Sequence, residues 1–445
     1  MVVRVIIAWL IPVMHDPHKT LLTGRVLRQI ADPFLTPADQ SARVDEAILL
    51  SGGIIADIGD ASALAAAHPD AARIDCGEQI ITPGFVDSHN HYSQTGIIGS
   101  WGKRLIDWLN TYTFPEEMRF GDTDYAAEIA DRYLDLLIDN GITSAAAFCT
   151  IHPESVDALF IAAEARGMRM TGGKVMMDRN APDGLRDTAQ IGYDQSQKLI
   201  DRWRGRGRLT YAITPRFAPT STPDQLAAAG ALWAANPDCA MQTHLSEQVE
   251  EIAWMRDLFP DDADYLAVYE RFGLCGPGAI MGHAIHLTDR EIGALCNTGA
   301  AVAHCPTSNA FIGSGMCDVS GLREAGVNVG LATDVGGGSS FSMLATMRSA
   351  YEIGQLRGAA LHPAQLWWLA TAGSAAAMRL GNCIGALAVG KDADLIILDP
   401  DATPVLAQRT ARADDIWDVL FALIILGDDR AISQTWVNGE SVKNK

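Results

Sequence analysis

Between about residues 82 and 381 the chain repeats one pattern, an apolar run of five to eight residues followed by a stretch with apolar residues three and four positions apart. The runs have strand length and the stretches have helical spacing, so the middle of the chain reads as successive βα units. The runs fall at ITPGFVDSH, ITSAAAF, MTGGKVMM, LTYAITPRF, CAMQTHLS, AIMGHAI, AAVAHCP and VNVGLATD, which makes eight. Eight parallel strands are the number that closes a TIM (β/α)8 barrel. Helices are predicted over Tyr125 to Asn140, Asp224 to Asn236, Val249 to Leu258 and Asp289 to Asn297, where an apolar stripe would pack against such a barrel.

Both ends of the chain have a different texture. Up to about Ile81 the sequence reads as short strands: VRVIIAWLIPV near the start, then AILLSGGIIADIG folding back at Ser51-Gly52-Gly53. The C-terminal stretch behaves alike, with GALAVGKDADLIILDP from Gly385 to Pro400 and ISQTWVNGESV folding at Asn438-Gly439. Residues 1–81 and 382–445 are therefore expected to be β-rich and to bracket a catalytic barrel at 82–381. A chain of 445 residues is long enough for such a large domain and a smaller second unit.

Composition narrows the partners. A formal net charge of −20, spread along the chain, repels phosphate backbones and argues against nucleic acid, leaving neutral or cationic small molecules. The N-terminal apolar run from Val5 to Met14 is far below spanning length and lacks a small-residue cleavage site. Read as a strand, it leaves no membrane partner and a cytoplasmic location as the expectation. The eight cysteines form no CxxC pair, and reduced thiols are expected in a chain this large.

The chemistry gathers at the strand ends. His89 and His91 follow the first barrel strand two residues apart, so both imidazoles point to one side of it. His244 closes the fifth strand and Asp334 the eighth, at the C-terminal rim where a barrel concentrates its active groups. Each alone has an ordinary structural role open to it, a core histidine or a helix cap; together they form a metal-ligand set. Imidazole nitrogens with one carboxylate suit zinc, and also iron. His283, ending the sixth strand, is a further candidate that would bind the metal or polarise its hydroxide. Glu247, three residues beyond His244, is placed to shuttle protons for a metal-activated water. His152-Pro153-Glu154 copies half of the zinc signature of cytidine deaminases, but no P-C-x-x-C follows, so that fold is excluded. His304 ends the seventh strand and could line the pocket; it is left without a role.

The segments PGFVDSHNH, THLSE, MGHAIHL, AHCPTSN and LATDVGGG, in that order, resemble the amidohydrolase superfamily in its cytosine-deaminase and chlorohydrolase-like branch. The resemblance implies that the two β-rich ends join into one small β-sandwich beside the barrel. Binuclear members carry a carboxylated lysine at the end of the fourth strand, where this chain has Arg216-Phe217, so one zinc ion per subunit is implied; Lys174 falls within the third strand and is read as structural. More narrowly, HNHYSQTG, DWLNTYTFPEEMRF, GGKVMMDRNAPDGLRDT, TPRFAPT, THLSEQVEEI and TDVGGGSSFSML are similar to the long guanine deaminases. That likeness implies a homodimer acting in purine catabolism. It also implies that Gln94, Arg216 and the Phe217 backbone hold the polar edge of guanine while Trp108 covers it. A metal-bound hydroxide would attack C2, with Glu247, His283 and Asp334 as the catalytic groups. The rival readings are another deaminase or chlorohydrolase of the branch, acting on cytosine, an adenosine-type compound or a triazine, and a non-enzymatic scaffold like the dihydropyrimidinase-related proteins, which lack complete ligand sets.

Overall fold

The computed structural model describes residues 16–102 and 104–443, so the N-terminal strand expected from the VRVIIAWLIPV run lies outside the described residues. The N-terminal segment forms four strands, β1 (Asp16–Gln29), β2 (Ala42–Ser51), β3 (Ile54–Gly59) and β4 (Ala71–Pro83). The barrel follows with β5 (Phe85–His91), β6 (Ile142–Phe148), β7 (Arg169–Gly173), a two-residue strand β8 (Val175–Met176), β9 (Thr210–Pro215), β10 (Ala240–Leu245), β11 (Ala279–His283), β12 (Ala301–His304) and β13 (Asn328–Leu331). The C-terminal segment adds β14 (Leu395–Leu398), β15 (Ile432–Val437) and β16 (Glu440–Ser441).

β5, β6, β7, β9, β10, β11, β12 and β13 lie side by side in chain order and pair in parallel. These are the eight apolar runs read from the sequence. They are buried on both faces, which is why they read as near-continuous Val, Ile, Ala and Met. The last strand returns to the first: Asp334 N donates to His89 O at 3.0 Å, and Ser88 Oγ donates to Leu331 O at 3.0 Å. The four predicted helices form at Thr123–Asp139, Pro223–Ala235, Val249–Leu258 and Asp289–Thr298, within two residues of the expected bounds. Asp122 and Thr288 cap two of them through their side chains, fixing where helix can start.

The terminal segments join, as the resemblance implies. β4 and β14 pair antiparallel, Ile80 opposite Leu398 and Pro83 opposite Leu395, in a seven-stranded sheet ordered β16-β15-β14-β4-β1-β2-β3. The sheet curls until Ile55 N donates to Lys391 O at 2.8 Å, just ahead of β14. Leu22, Val26, Ile48, Leu50, Ile81, Leu395, Ile397 and Trp436 fill the space inside the curl. Both expected tight turns are present, with positive φ at Gly52 and Gly53 and at Asn438 and Gly439. The C-terminal segment is less purely β than its sequence suggests, since Pro404–Thr410 and Ile416–Leu426 are helical. The second of these is apolar almost all round, so it shows no helical stripe, and Val419, Leu420, Ala422, Leu423 and Ile424 are buried. All eight cysteines are free, and no helix among the described residues is long and apolar enough to cross a membrane.

Candidate active site

The barrel mouth collects the residues singled out from the sequence. His89 and His91 come from β5, His244 from β10, His283 from the end of β11 and Asp334 from just beyond β13; each is less than a tenth exposed. Asp334 Oδ1 lies 3.4 Å from both His89 Nε2 and His91 Nε2, and His91 Nε2 lies 3.2 Å from His244 Nε2. His283 Nε2 is 3.8 Å from Asp334 Oδ2. Two overlapping sets, His89 with His91 and His244, and His89 with His283, Cys305 and Asp334, each hold their donor atoms within 4.8 Å of one another.

Backbone arrangement explains this convergence. Asp87 accepts from His89 N at 3.3 Å and from Thr333 N at 3.1 Å, so one buried carboxylate ties the two strands that carry His89 and Asp334. Gly282 leaves room for the His89 ring, because a Cβ there would sit 2.8 Å from His89 Cε1. Ser246, His283 and Asp334, at or just beyond the ends of their strands, all adopt positive φ, a conformation that non-glycine residues rarely take.

The groups in the site hold distinct charges. Burial, reinforced by the neighbouring imidazoles, pushes His244 well below the usual histidine range, and burial does the same to His91. Both rings are therefore neutral lone-pair donors. Burial alone would lift Asp334, but His89, His283 and His91 outweigh it and keep the carboxylate ionised. Burial likewise opposes charge on His283, yet Glu247, Cys305 and Asp334 outweigh it and hold the ring well above its ordinary value. Glu247 is pushed up to about 7 by burial.

The structure also fixes orientations. His244 Nδ1 donates to Arg216 O at 2.7 Å, which turns Nε2 inward. His283 Nδ1 donates to Asn309 Oδ1 at 2.9 Å, leaving Nε2 3.5 Å from Glu247 Oε2. Glu247 Oε1 accepts from Ser314 Oγ at 3.0 Å, and its backbone N donates to Glu251 Oε2 at 2.9 Å. Glu247 thus precedes the helix Val249–Leu258 and is not one of its first-turn acids.

A cavity opens over these groups. Gln94, Trp108, Arg216 and Phe217 line it together with His91, His244, Glu247, His283 and Asp334. Leu105, Leu109 and Ile312 supply apolar wall. Arg216 Nη1 donates to Glu117 Oε2 at 2.7 Å, and Gln94 Nε2 donates to Glu117 Oε1 at 3.2 Å.

Some candidates lie elsewhere. His304 lines a separate small cavity with Cys317 and Asp318, and burial takes its ring down to about 3. Lys174 is buried in an ion pair with Asp187, the structural role expected of it. Glu117, Ser314, Asn309 and Cys305 were not found from the sequence. Cys305 carries a signal in AHCP, beside the histidine that drew attention, and burial pushes its thiol up to about 11.

The amidohydrolase family matches residues 80–442, and an imidazolonepropionase-like composite domain matches residues 47–71. The chain is 46% identical over 375 residues to guanine deaminase of Escherichia coli K12, spanning 84% of this chain and 85% of that one. A solved structure of the E. coli guanine deaminase superposes with a TM-score of 0.92 at 42% identity, covering 95% of this chain and 99% of that one. A guanine deaminase of C. acetobutylicum with guanine bound in its active site superposes with a TM-score of 0.86 at 30% identity, covering 95% and 100% of the two chains.

Proposed function

Because the chain belongs to the amidohydrolase family and, within it, to the guanine deaminases, we propose that its barrel-mouth site hydrolyses guanine to xanthine and ammonia. His89, His91, His244 and Asp334 would hold one divalent cation, zinc in our reading. Their fit rests on chemistry: both ring nitrogens of His89 and Nδ1 of His91 are buried without a hydrogen-bond partner, and a carboxylate held ionised faces them. Bound there, the cation supplies the Lewis acidity that makes water nucleophilic near neutral pH.

The protein's own residues do the rest. Arg216, Gln94 and the Phe217 backbone hold the purine edge, and Trp108, 2% exposed, closes the cavity against water. As water adds to C2, Glu247 takes its proton and passes one to the adjacent ring nitrogen. The remaining proton of the added hydroxyl is then taken up and delivered by Glu247 to the amino group, the C2–N bond breaks, ammonia leaves, and C2 becomes a carbonyl. Asp334 assists the loss of the water's proton. The His283 imidazolium, 3.5 Å from Glu247, steadies negative charge on the attacking oxygen.

The observation that carries this reading is the convergence of Glu247, poised near neutrality, with Arg216 and Gln94 in one cavity over the imidazole cluster. The test is release of xanthine and ammonia from guanine by purified, zinc-loaded protein. Cytosine, adenosine and a chlorinated triazine serve as the comparison panel. No guanine turnover by fully metallated protein, or a higher kcat/KM on any other member of the panel, sinks it.

A further inference from the structure

Glu117 does not line the cavity, yet it touches both polar residues that do. It ends the short helix Phe114–Glu117 in the excursion between β5 and β6, and its side chain is fully buried. One oxygen accepts from Arg216 Nη1 at 2.7 Å and the other from Gln94 Nε2 at 3.2 Å. A carboxylate only accepts, so both neighbours must turn an N–H toward it. For the Gln94 amide this decides which end turns to Glu117: one N–H of Nε2 is used there, and Oε1 remains as an acceptor. Gln94 Oε1 rests against Gly336, at φ +112°, where a Cβ would fall 2.1 Å from that oxygen. For Arg216 the ion pair uses one N–H and balances the charge, leaving the other donors of a planar fork to the cavity that the residue lines.

We infer that Glu117 is a positioning and specificity-determining residue: it locks the pocket into donors from Arg216 and one acceptor from Gln94, and so selects a purine edge that offers a carbonyl beside a ring N–H. The inference rests on the guanine reading above. An edge with the reversed pattern, an amine beside an unprotonated ring nitrogen, meets donor against donor at Arg216 and acceptor against lone pair at Gln94. Burial sharpens the choice, because no water reaches either mismatch.

The compound that isolates this effect is 2,6-diaminopurine, which keeps the C2 amine that leaves but carries the reversed edge at position 6. Glu117→Gln removes the acceptor-only carboxylate and lets the Gln94 amide turn over. With guanine, the variant is expected to show KM raised about tenfold or more with a smaller change in kcat. The preference in kcat/KM for guanine over 2,6-diaminopurine should narrow by about tenfold or more. Glu117→Asp keeps the counterion, which protects folding, but is one methylene too short to serve both partners. Its preference should fall between those of the wild type and Glu117→Gln. Zinc content and circular dichroism accompany each measurement. Equal losses on both purines, with the preference unmoved in a folded Glu117→Gln, overturn the assignment, as does wild-type preference and KM in Glu117→Asp. A wild-type protein inactive on guanine overturns the functional reading itself, and the assignment with it.

Discussion

Glu247→Gln separates proton transfer from every other property of the site. The amide has the carboxylate's shape, so Ser314 Oγ still finds an acceptor where Glu247 Oε1 stood, 3.0 Å away. Burial already pushes Glu247 up to about 7, so the carboxyl is part neutral near pH 7 and its replacement removes little charge. The fold should therefore stand, within about 1 kcal/mol and a degree or so of melting temperature. Metal content should not change, because Glu247 is outside the proposed ligand set. Catalysis should collapse. A positioned acid–base group contributes about 10² to 10⁴ in rate. Glu247 is assigned the transfers both to the ring nitrogen and to the leaving amine, so a kcat loss of about 10³ or more is expected, some 4 kcal/mol of barrier. The assay is stopped-time measurement of xanthine and ammonia at saturating guanine, with bound zinc measured on the same sample. A variant with full zinc and a kcat within about tenfold of wild type would refute the shuttle role.

Gly282→Ala drives a methyl group against the His89 ring, and bound zinc per chain should fall with an affinity loss of about 10- to 100-fold; unchanged zinc affinity by competition with a chelating dye counts against His89 as a ligand. Lys174→Met leaves the Asp187 carboxylate buried without its cation, a loss of about 3–5 kcal/mol. For a chain of this length that is about 3–5 °C in melting temperature by calorimetry, and no shift would contradict the structural role given to Lys174. Dialysis against a chelator should abolish turnover and lower the melting temperature by about 4 °C from a state with free zinc at about 1,000 Kd, with both restored by zinc. Full activity in protein shown to contain no metal excludes the metal-dependent reading.

The barrel was legible because parallel strands covered on both faces leave uninterrupted apolar runs, and because Asp122 and Thr288 punctuate the helices between them. The small sheet was legible only in its hairpins. Its longest strand, β1, escapes detection because a bulge between Thr23 and Val26, at Gly24, breaks the alternation on which strand reading depends. The β4–β14 pairing joins residues more than 300 positions apart, and no local pattern specifies it. The helix Ile416–Leu426 is hidden for the opposite reason, since apolar side chains nearly all round erase the stripe that would mark it.

In the site the division follows the chemistry. The groups proposed to ligate or transfer protons sit at strand ends, so a count of strands places His89, His91, His244, His283 and Asp334 on one rim, with Glu247 on the turn beyond His244. Groups that orient them do not share that address. Asn309 and Ser314 lie in the region after β12 and reach His283 and Glu247 across the mouth, and Glu251 reaches back to the Glu247 backbone from within a helix. Glu117 is the extreme case: it stands in an acidic pair, Glu116-Glu117, that reads as helix surface. Only the fold shows that Glu116 points to Tyr125 while Glu117 turns inward to Arg216 and Gln94. Arg216 then has two duties that sequence reading treats as one. Its carbonyl orients His244 at 2.7 Å, and its side chain, steadied by Glu117, faces the cavity. A shift of this residue therefore disturbs the imidazole cluster and the cavity wall together, whereas replacing Glu117 reaches the side chain and leaves the carbonyl in place. That asymmetry predicts that Glu117→Gln retains its zinc while losing purine discrimination.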